Sequence, residues 1–307
     1  MAEDRTLTGG RDDLLFDISR CLRMRFCDSS CRRCVEACPH GAVTLDDGLA
    51  VNEEVCQGCL LCTTACPSGA LEMNAEFADC LARLAKVPEP VLGCVRTGET
   101  AHAALPCLGG LSEEHLLSLS HELTGIVTLN LSPCRDCPNI SLAAILKQRL
   151  ATLTEAGLVS ASARIIIAES PADVHYHPES LDRRGFFNSL RSSLFSSAAS
   201  ILAPHNDASD HRSEYAAKRV PARRLLLNEV RERASQELRT KIQKHFDTAI
   251  IIDSGCSTCQ GCVAICPTGA LKTTSQDNIP TYDQLKCTAC GLCAEFCLDH
   301  AVSLSKY

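Results

Sequence analysis

The sequence predicts an α+β chain in which two small cysteine-rich modules flank an α/β domain with a mostly parallel sheet, joined to the second module by a helical linker. Three observations predict this. The 307 residues include 22 cysteines, and most of them fall in short runs near the two ends. Those runs are followed by a recurring turn-and-strand segment, the mark of a structural module used more than once. Between them, apolar stretches of strand length alternate with stretches of helical periodicity, which is how a parallel sheet reads in sequence.

Composition limits what such a chain does. Hydrophobic and charged fractions of 45% and 22% are ordinary for a globular protein. Aromatic residues make up 4%, Trp is absent and the net charge is −7, so neither base stacking nor a positive field for nucleic acid is available. The longest apolar runs, Ile165–Ala168 and Ala249–Ile252, fall far short of the ~20 residues of a membrane-spanning helix. The first ten residues carry no basic stretch followed by an apolar one, so no secretory leader is expected and a cytoplasmic location is. In a reducing compartment, dense cysteines mean metal or redox chemistry in preference to disulfides.

The spacing then sharpens the chemistry. Cys56, Cys59, Cys62 and Cys66 read C-x2-C-x2-C-x3-C before Pro67, and Cys256, Cys259, Cys262 and Cys266 repeat this before Pro267. Cys287, Cys290, Cys293 and Cys297 keep the spacing with Leu298 in the proline position. Cys27, Cys31, Cys34 and Cys38 differ by one extra residue in the first gap. After the last cysteine come Pro-His-Gly-Ala-Val, Pro-Ser-Gly-Ala-Leu, Pro-Thr-Gly-Ala-Leu and Leu-Asp-His-Ala-Val. Zinc uses spaced pairs for one tetrahedral ion, whereas three closely spaced thiols with a remote fourth suit the corners of a [4Fe–4S] cubane.

On these residues, 20–76 and 250–307 resemble bacterial 2[4Fe–4S] ferredoxin domains, in which the fourth cysteine of each run ligates the other cluster. The resemblance implies four [4Fe–4S] clusters: Cys27, Cys31, Cys34 with Cys66; Cys56, Cys59, Cys62 with Cys38; Cys256, Cys259, Cys262 with Cys297; and Cys287, Cys290, Cys293 with Cys266. The wide gap after Cys27 makes that ligand the one departure, with Cys21 the only upstream substitute.

The middle, 88–170, begins after Pro88-Glu89-Pro90. Val91-Leu92-Gly93, Ile126–Leu131 and Arg164–Ala168 read as strands, with Leu105-Pro106 a weaker one. Leu111–Leu123, opened by Ser112 and acidic residues, and Ile140–Leu153 read as helices. Cys94, Cys107, Cys134 and Cys137 follow strand candidates, so they can converge on one sheet edge. With their local context (Leu92-Gly93-Cys94, Leu105-Pro106-Cys107-Leu108-Gly109, Cys134-Arg135-Asp136-Cys137), they resemble the iron–sulfur domain of the methyl-viologen-reducing hydrogenase delta subunit family. That resemblance implies one further centre, a [2Fe–2S] cluster; zinc, a reducible Cys134–Cys137 dithiol and inert buried thiols remain the other readings.

Residues 171–247 form the expected helical linker. Asp182–Phe187 resembles a twin-arginine export signal but lies in mid-chain, so 182–203 reads as an amphipathic helix, 205–214 as a loop and 221–246 as one long helix. Residues 212–244 hold ten Lys or Arg against four Asp or Glu, either a docking surface for an acidic redox partner or a solvated helix face. His175 and His177 read as surface residues. The function expected is a multi-cluster electron-transfer protein, the relay subunit of a larger oxidoreductase complex such as a hydrogenase, a formate or aldehyde oxidoreductase or a heterodisulfide-reductase-like assembly. Its partners would be catalytic or electron-carrier redox proteins, in a hetero-oligomer, with no catalytic residue of its own. The other reading is a redox enzyme that reduces a thiol, disulfide or other substrate at the central cysteines; no G-x-G-x-x-G fingerprint supports a dinucleotide site.

Overall fold

The computed structural model describes residues 12–160, 164–178, 217–274 and 278–307. The expectations for 182–203 and 205–214 lie outside the described residues. Helices and strands are mixed throughout, with a four-stranded parallel sheet in the middle and a small module at each end.

In the first module β1 (Leu14–Phe16) pairs antiparallel with β4 (Leu71–Met73), and β2 (Val43–Thr44) with β3 (Ala50–Val51). The short helices Arg33–Glu36 and Leu61–Ala65 lie within the cysteine runs, carry Cys34 and Cys62, and end just ahead of Pro39 and Pro67, the first capped by Ala37 and the second by Cys66, because a ring without an N–H cannot extend the helical ladder.

The middle sheet runs β6 (Ala103–Leu105), β5 (Val91–Cys94), β7 (Val127–Asn130), β8 (Ile165–Ala168), all parallel. Its inner strands β5 and β7 are short, mostly buried runs, as covered parallel strands are, while Ile166 on the edge strand β8 is exposed. Helix Glu113–Glu122 starts at Ser112, whose hydroxyl lies 2.8 Å from Nδ1 of His115 in a reciprocal cap. That helix and Leu142–Glu155 bury Leu116, Leu117, Leu119, Leu146 and Leu153 in one leucine-rich core.

The stretch expected as a single long helix is two, Ala222–Arg233 and Gln236–Phe246. The chain turns extended at Ala234 (ψ 150°) and Ser235 (ψ 160°), where Ser235 Oγ accepts from the Leu238 N–H. A serine that caps a new helix outcompetes continuation of the old one. Both helices place apolar residues (Leu227, Val230, Ile242) in the central core, so this stretch packs as part of the middle body.

The last module pairs β9 (Thr248–Ile252) with β12 (Val302–Lys306), and β10 (Leu271–Lys272) with β11 (Thr281–Tyr282), all antiparallel. It meets the first module directly: Phe26 and Phe296 stack edge to face at 5.2 Å, and Ser29 and Ser30 donate hydroxyl hydrogen bonds of 2.7 and 2.6 Å to Glu295. His175 and His177 lie exposed. Among the described residues no helix is long and apolar enough to cross a membrane.

Candidate metal centres

The backbone of the cysteine runs explains how they present sulfur. In each exact C-x2-C-x2-C run the two residues flanking the middle cysteine are left-handed: Gly58 and Leu60 at φ 63° and 59°, Thr258 and Gln260 at 59° and 62°, Ala289 and Gly291 at 51° and 86°. Non-glycine residues rarely adopt this region, and its repetition folds each loop around a common centre. The recurring Gly-Ala after the run has the same origin. Gly41, Gly69 and Gly269 take φ 64°, 71° and 69°, and His300, in the matching place of the last run, takes 51°. The turn then aims N–H and hydroxyl groups at sulfur. Ala42 donates its N–H to Cys38 Sγ at 3.3 Å, and the Ser68 and Thr268 hydroxyls lie 3.7 and 3.6 Å from the sulfurs of Cys66 and Cys266. Burial alone would raise Cys266, but the amides of Leu271, Thr268 and Ala270 and the Thr268 hydroxyl outweigh it and lower its pKa. Hydrogen bonds of this kind favour a thiolate.

The thiols gather in groups of four. Cys38, Cys56, Cys59 and Cys62 line one cavity with Leu14, Val43, Val51 and Leu60. Cys38 comes from the preceding run. Cys266, Cys287, Cys290 and Cys293 line a second. Cys94, Cys107, Cys134 and Cys137 line a third, of about 290 Å³, at the carboxyl edge of β6, β5 and β7. The sheet brings these four together because three neighbouring parallel strands end on the same side. Cys256, Cys259 and Cys262 are neighbours, and Cys297 packs against the core that holds Cys262.

The first run is different. Burial and the nearby thiols of Cys66, Cys21 and Cys31 push Cys34 up to about 12. Thus Cys31, Cys34 and Cys66 lie together, and the thiol beside them is Cys21, which is buried. Cys27, expected here from spacing, is exposed, with its sulfur 3.7 Å from Asp28 Oδ1. The signal available in the sequence was the irregular gap. Cys80 is buried apart from these groups, in the central core.

Electrostatics test whether a cationic group suits these sites. Burial, then neighbouring thiols, raises Cys62, Cys290 and Cys293, the last two to about 12. Burial likewise lifts Cys107 to about 12 and Cys134 to about 11, with Cys94 nearby adding to both. Thiols raised in this way ionise together when positive charge sits between them. Among the described residues no three His, Cys, Asp or Glu side chains converge on the position of a single metal ion. The thiols surround cavities instead. A donor set of soft sulfurs around a cavity fits an iron–sulfur cluster.

The groups adjoin one another. Cys107 interacts with Cys59, and Cys62 with Cys34. Arg33, next to Cys34 in the chain, interacts with Cys290, and Cys293 with Cys262. Gly109, two residues beyond Cys107, packs so closely on the Cys59 carbonyl that a Cβ would overlap it.

Comparison with known proteins agrees at both ends. Residues 26–70 and residues 248–298 each match a 4Fe-4S dicluster domain family. One curated relative, a component of an ion-translocating oxidoreductase complex from Methanosarcina acetivorans, is similar over part of the chain, 38% identical over 61 residues. That match covers 20% of this chain and 22% of the relative. The chain therefore carries two 4Fe-4S dicluster domains, one before and one after its parallel sheet in the sequence.

Proposed function

We propose that the chain is an electron-transfer protein, a subunit of a larger oxidoreductase complex, with five iron–sulfur sites. Four would be [4Fe–4S] sites in the two dicluster domains. The fifth would be the central site of Cys94, Cys107, Cys134 and Cys137, a [2Fe–2S] site as its resemblance to the hydrogenase delta subunit family implies. When bound, such clusters supply one-electron carriers. The observation that carries the reading is the succession of thiol groups from the central cavity into the first module, with Arg33 between that module and the thiols of the last.

This chain's own residues bind and shield. The cysteines hold the groups, Leu14, Val43 and Leu60 exclude water around one of them, and the turns after Cys38, Cys66 and Cys266 supply hydrogen bonds to sulfur. Arg33 places positive charge between the two modules. Burial and hydrogen bonding at sulfur are the levers that set cluster potentials. The relative's place in an ion-translocating oxidoreductase complex supports partners that are themselves redox proteins. A compartment that keeps thiols reduced, such as the cytoplasm, suits the many cysteines. The dithiol reading is less well supported, because burial raises Cys134 to about 11 whereas reactive CxxC thiols are lowered.

The test is iron and sulfide analysis with EPR during stepwise anaerobic reduction. Interacting cubane signals are expected, together with a separate signal that disappears in Cys107→Ser. Colourless protein, or zinc in place of iron, would refute the proposal.

A further inference from the structure

We propose that Cys21, and not Cys27, completes the first amino-terminal cluster site with Cys31, Cys34 and Cys66, leaving Cys27 as a free surface thiol. This rests on the iron–sulfur reading above and changes which residue supplies one corner of one site.

Strand pairing anchors Cys21. Strand β1 pairs with β4 in the register Leu14↔Met73, Leu15↔Glu72, Phe16↔Leu71, and the ladder continues as the Asp17 N–H bonds the Ala70 carbonyl at 2.9 Å. Asp17 then caps a short 3-10 turn, Ile18–Arg20, by accepting from the Ser19 N–H. Arg20, only 3% exposed, donates to Glu72 at 2.8 Å, and its guanidinium lies in the space that a side chain on Gly69 would need. Segment 17–21 is thus bound to segment 69–72, which continues directly from Cys66. Cys21 is carried to the same place, is 8% exposed, and shares a core with Cys34 and Cys66.

Cys27 lies beyond helix Leu22–Arg25, on the side facing the last module. Its neighbours are occupied elsewhere: Ser29 and Ser30 bond Glu295, and Phe26 stacks on Phe296. The backbone gives an independent reason. The three exact runs use left-handed residues on both sides of their middle cysteine to turn the first thiol inward, whereas 27–34 contains no residue of positive φ. The loop stays open and its first thiol points to solvent and the Asp28 carboxylate. The extra residue in the first gap is explained: this run supplies two inward thiols to its own site, and the third comes from upstream.

The test uses the full-length chain, prepared anaerobically with its iron. Native protein is treated with iodoacetamide, then digested and mapped by mass spectrometry. Cys27 is expected to be labelled and Cys21 protected, with both labelled after iron is removed. In parallel, Cys27→Ser is expected to keep wild-type iron, sulfide and EPR signals, while Cys21→Ser loses the iron of one cubane. Protection of Cys27, or labelling of Cys21 in the iron-loaded protein, overturns the assignment, and this readout needs no variant to fold. Iron-free protein would overturn the electron-transfer reading as well, whereas brown protein labelled at Cys21 overturns this assignment alone.

Discussion

Asp247 has no exposed side-chain surface, yet it carries a charge that two guanidiniums neutralise. Arg224 reaches its Oδ1 at 2.6 Å, and Arg231 bridges both oxygens at 2.9 Å. Arg224 also donates to the carbonyls of Gln284 at 2.7 Å and Leu285 at 3.1 Å, immediately before Cys287. One carboxylate therefore ties the helix Ala222–Arg233 to the loop that opens the last cysteine run. Its replacement by alanine would leave two partly or wholly buried cations unpaired, which costs about 3–5 kcal/mol. We predict that Asp247→Ala lowers the unfolding free energy of the anaerobic protein, read from urea titration, by that much; an unchanged unfolding free energy would show that the pair contributes nothing net. At this scale the sequence was informative about sulfur but silent about Asp247. An acidic residue before a strand has no local signature of burial, because its partners lie 16 and 23 positions away on a different element.

Among the elements, the cysteine loops were readable because their geometry is local. Spacing and the trailing Gly-Ala turn specify where each sulfur points, and even the exception at His300 keeps the left-handed backbone of the glycines. The helix break at Ser235 was less readable, since the apolar spacing continues through it and only the capping hydroxyl marks the end. The contact between central site and first module depends on Gly109, whose Cα approaches the Cys59 carbonyl too closely for any side chain. Gly109→Ala must push the segment Leu108–Gly110 away from that loop. Overpacking of this kind costs roughly 1–3 kcal/mol. The expected result is a lower melting temperature and an altered EPR signal from the central site, with signals from the last module unchanged. Equal perturbation of every signal would contradict the local origin.

For the molecule as a whole, the three cores differ in kind. The central one is built from leucines of the sheet and its helices. The last module's buried core counts Cys262, Cys266, Cys287 and Cys293 beside only Ala270, Leu271 and Val302. A core built so heavily from thiols has little apolar area to stabilise it alone, and metal binding then contributes directly to folding. Anaerobic removal of iron with a chelator is expected to leave amides of the central sheet protected in hydrogen exchange while those of 253–307 exchange freely. Sustained protection of the last module without iron would rule this out.

What the sequence determined by itself is chemistry at short range: four cysteine runs, their turns, and the strand-and-helix alternation of the middle, all set by neighbours a few residues apart. What only the tertiary structure decided is which thiols meet. Cys21 lies beside Cys34 and Cys66 because strand pairing and the Arg20–Glu72 pair carry segment 17–21 to segment 69–72. Cys94, Cys107, Cys134 and Cys137 share a cavity because three parallel strands end on one edge. The two terminal modules touch through Glu295 and Phe296. The reason is physical: a thiol's partners are fixed by where distant backbone segments cross, and spacing along the chain does not encode the crossing.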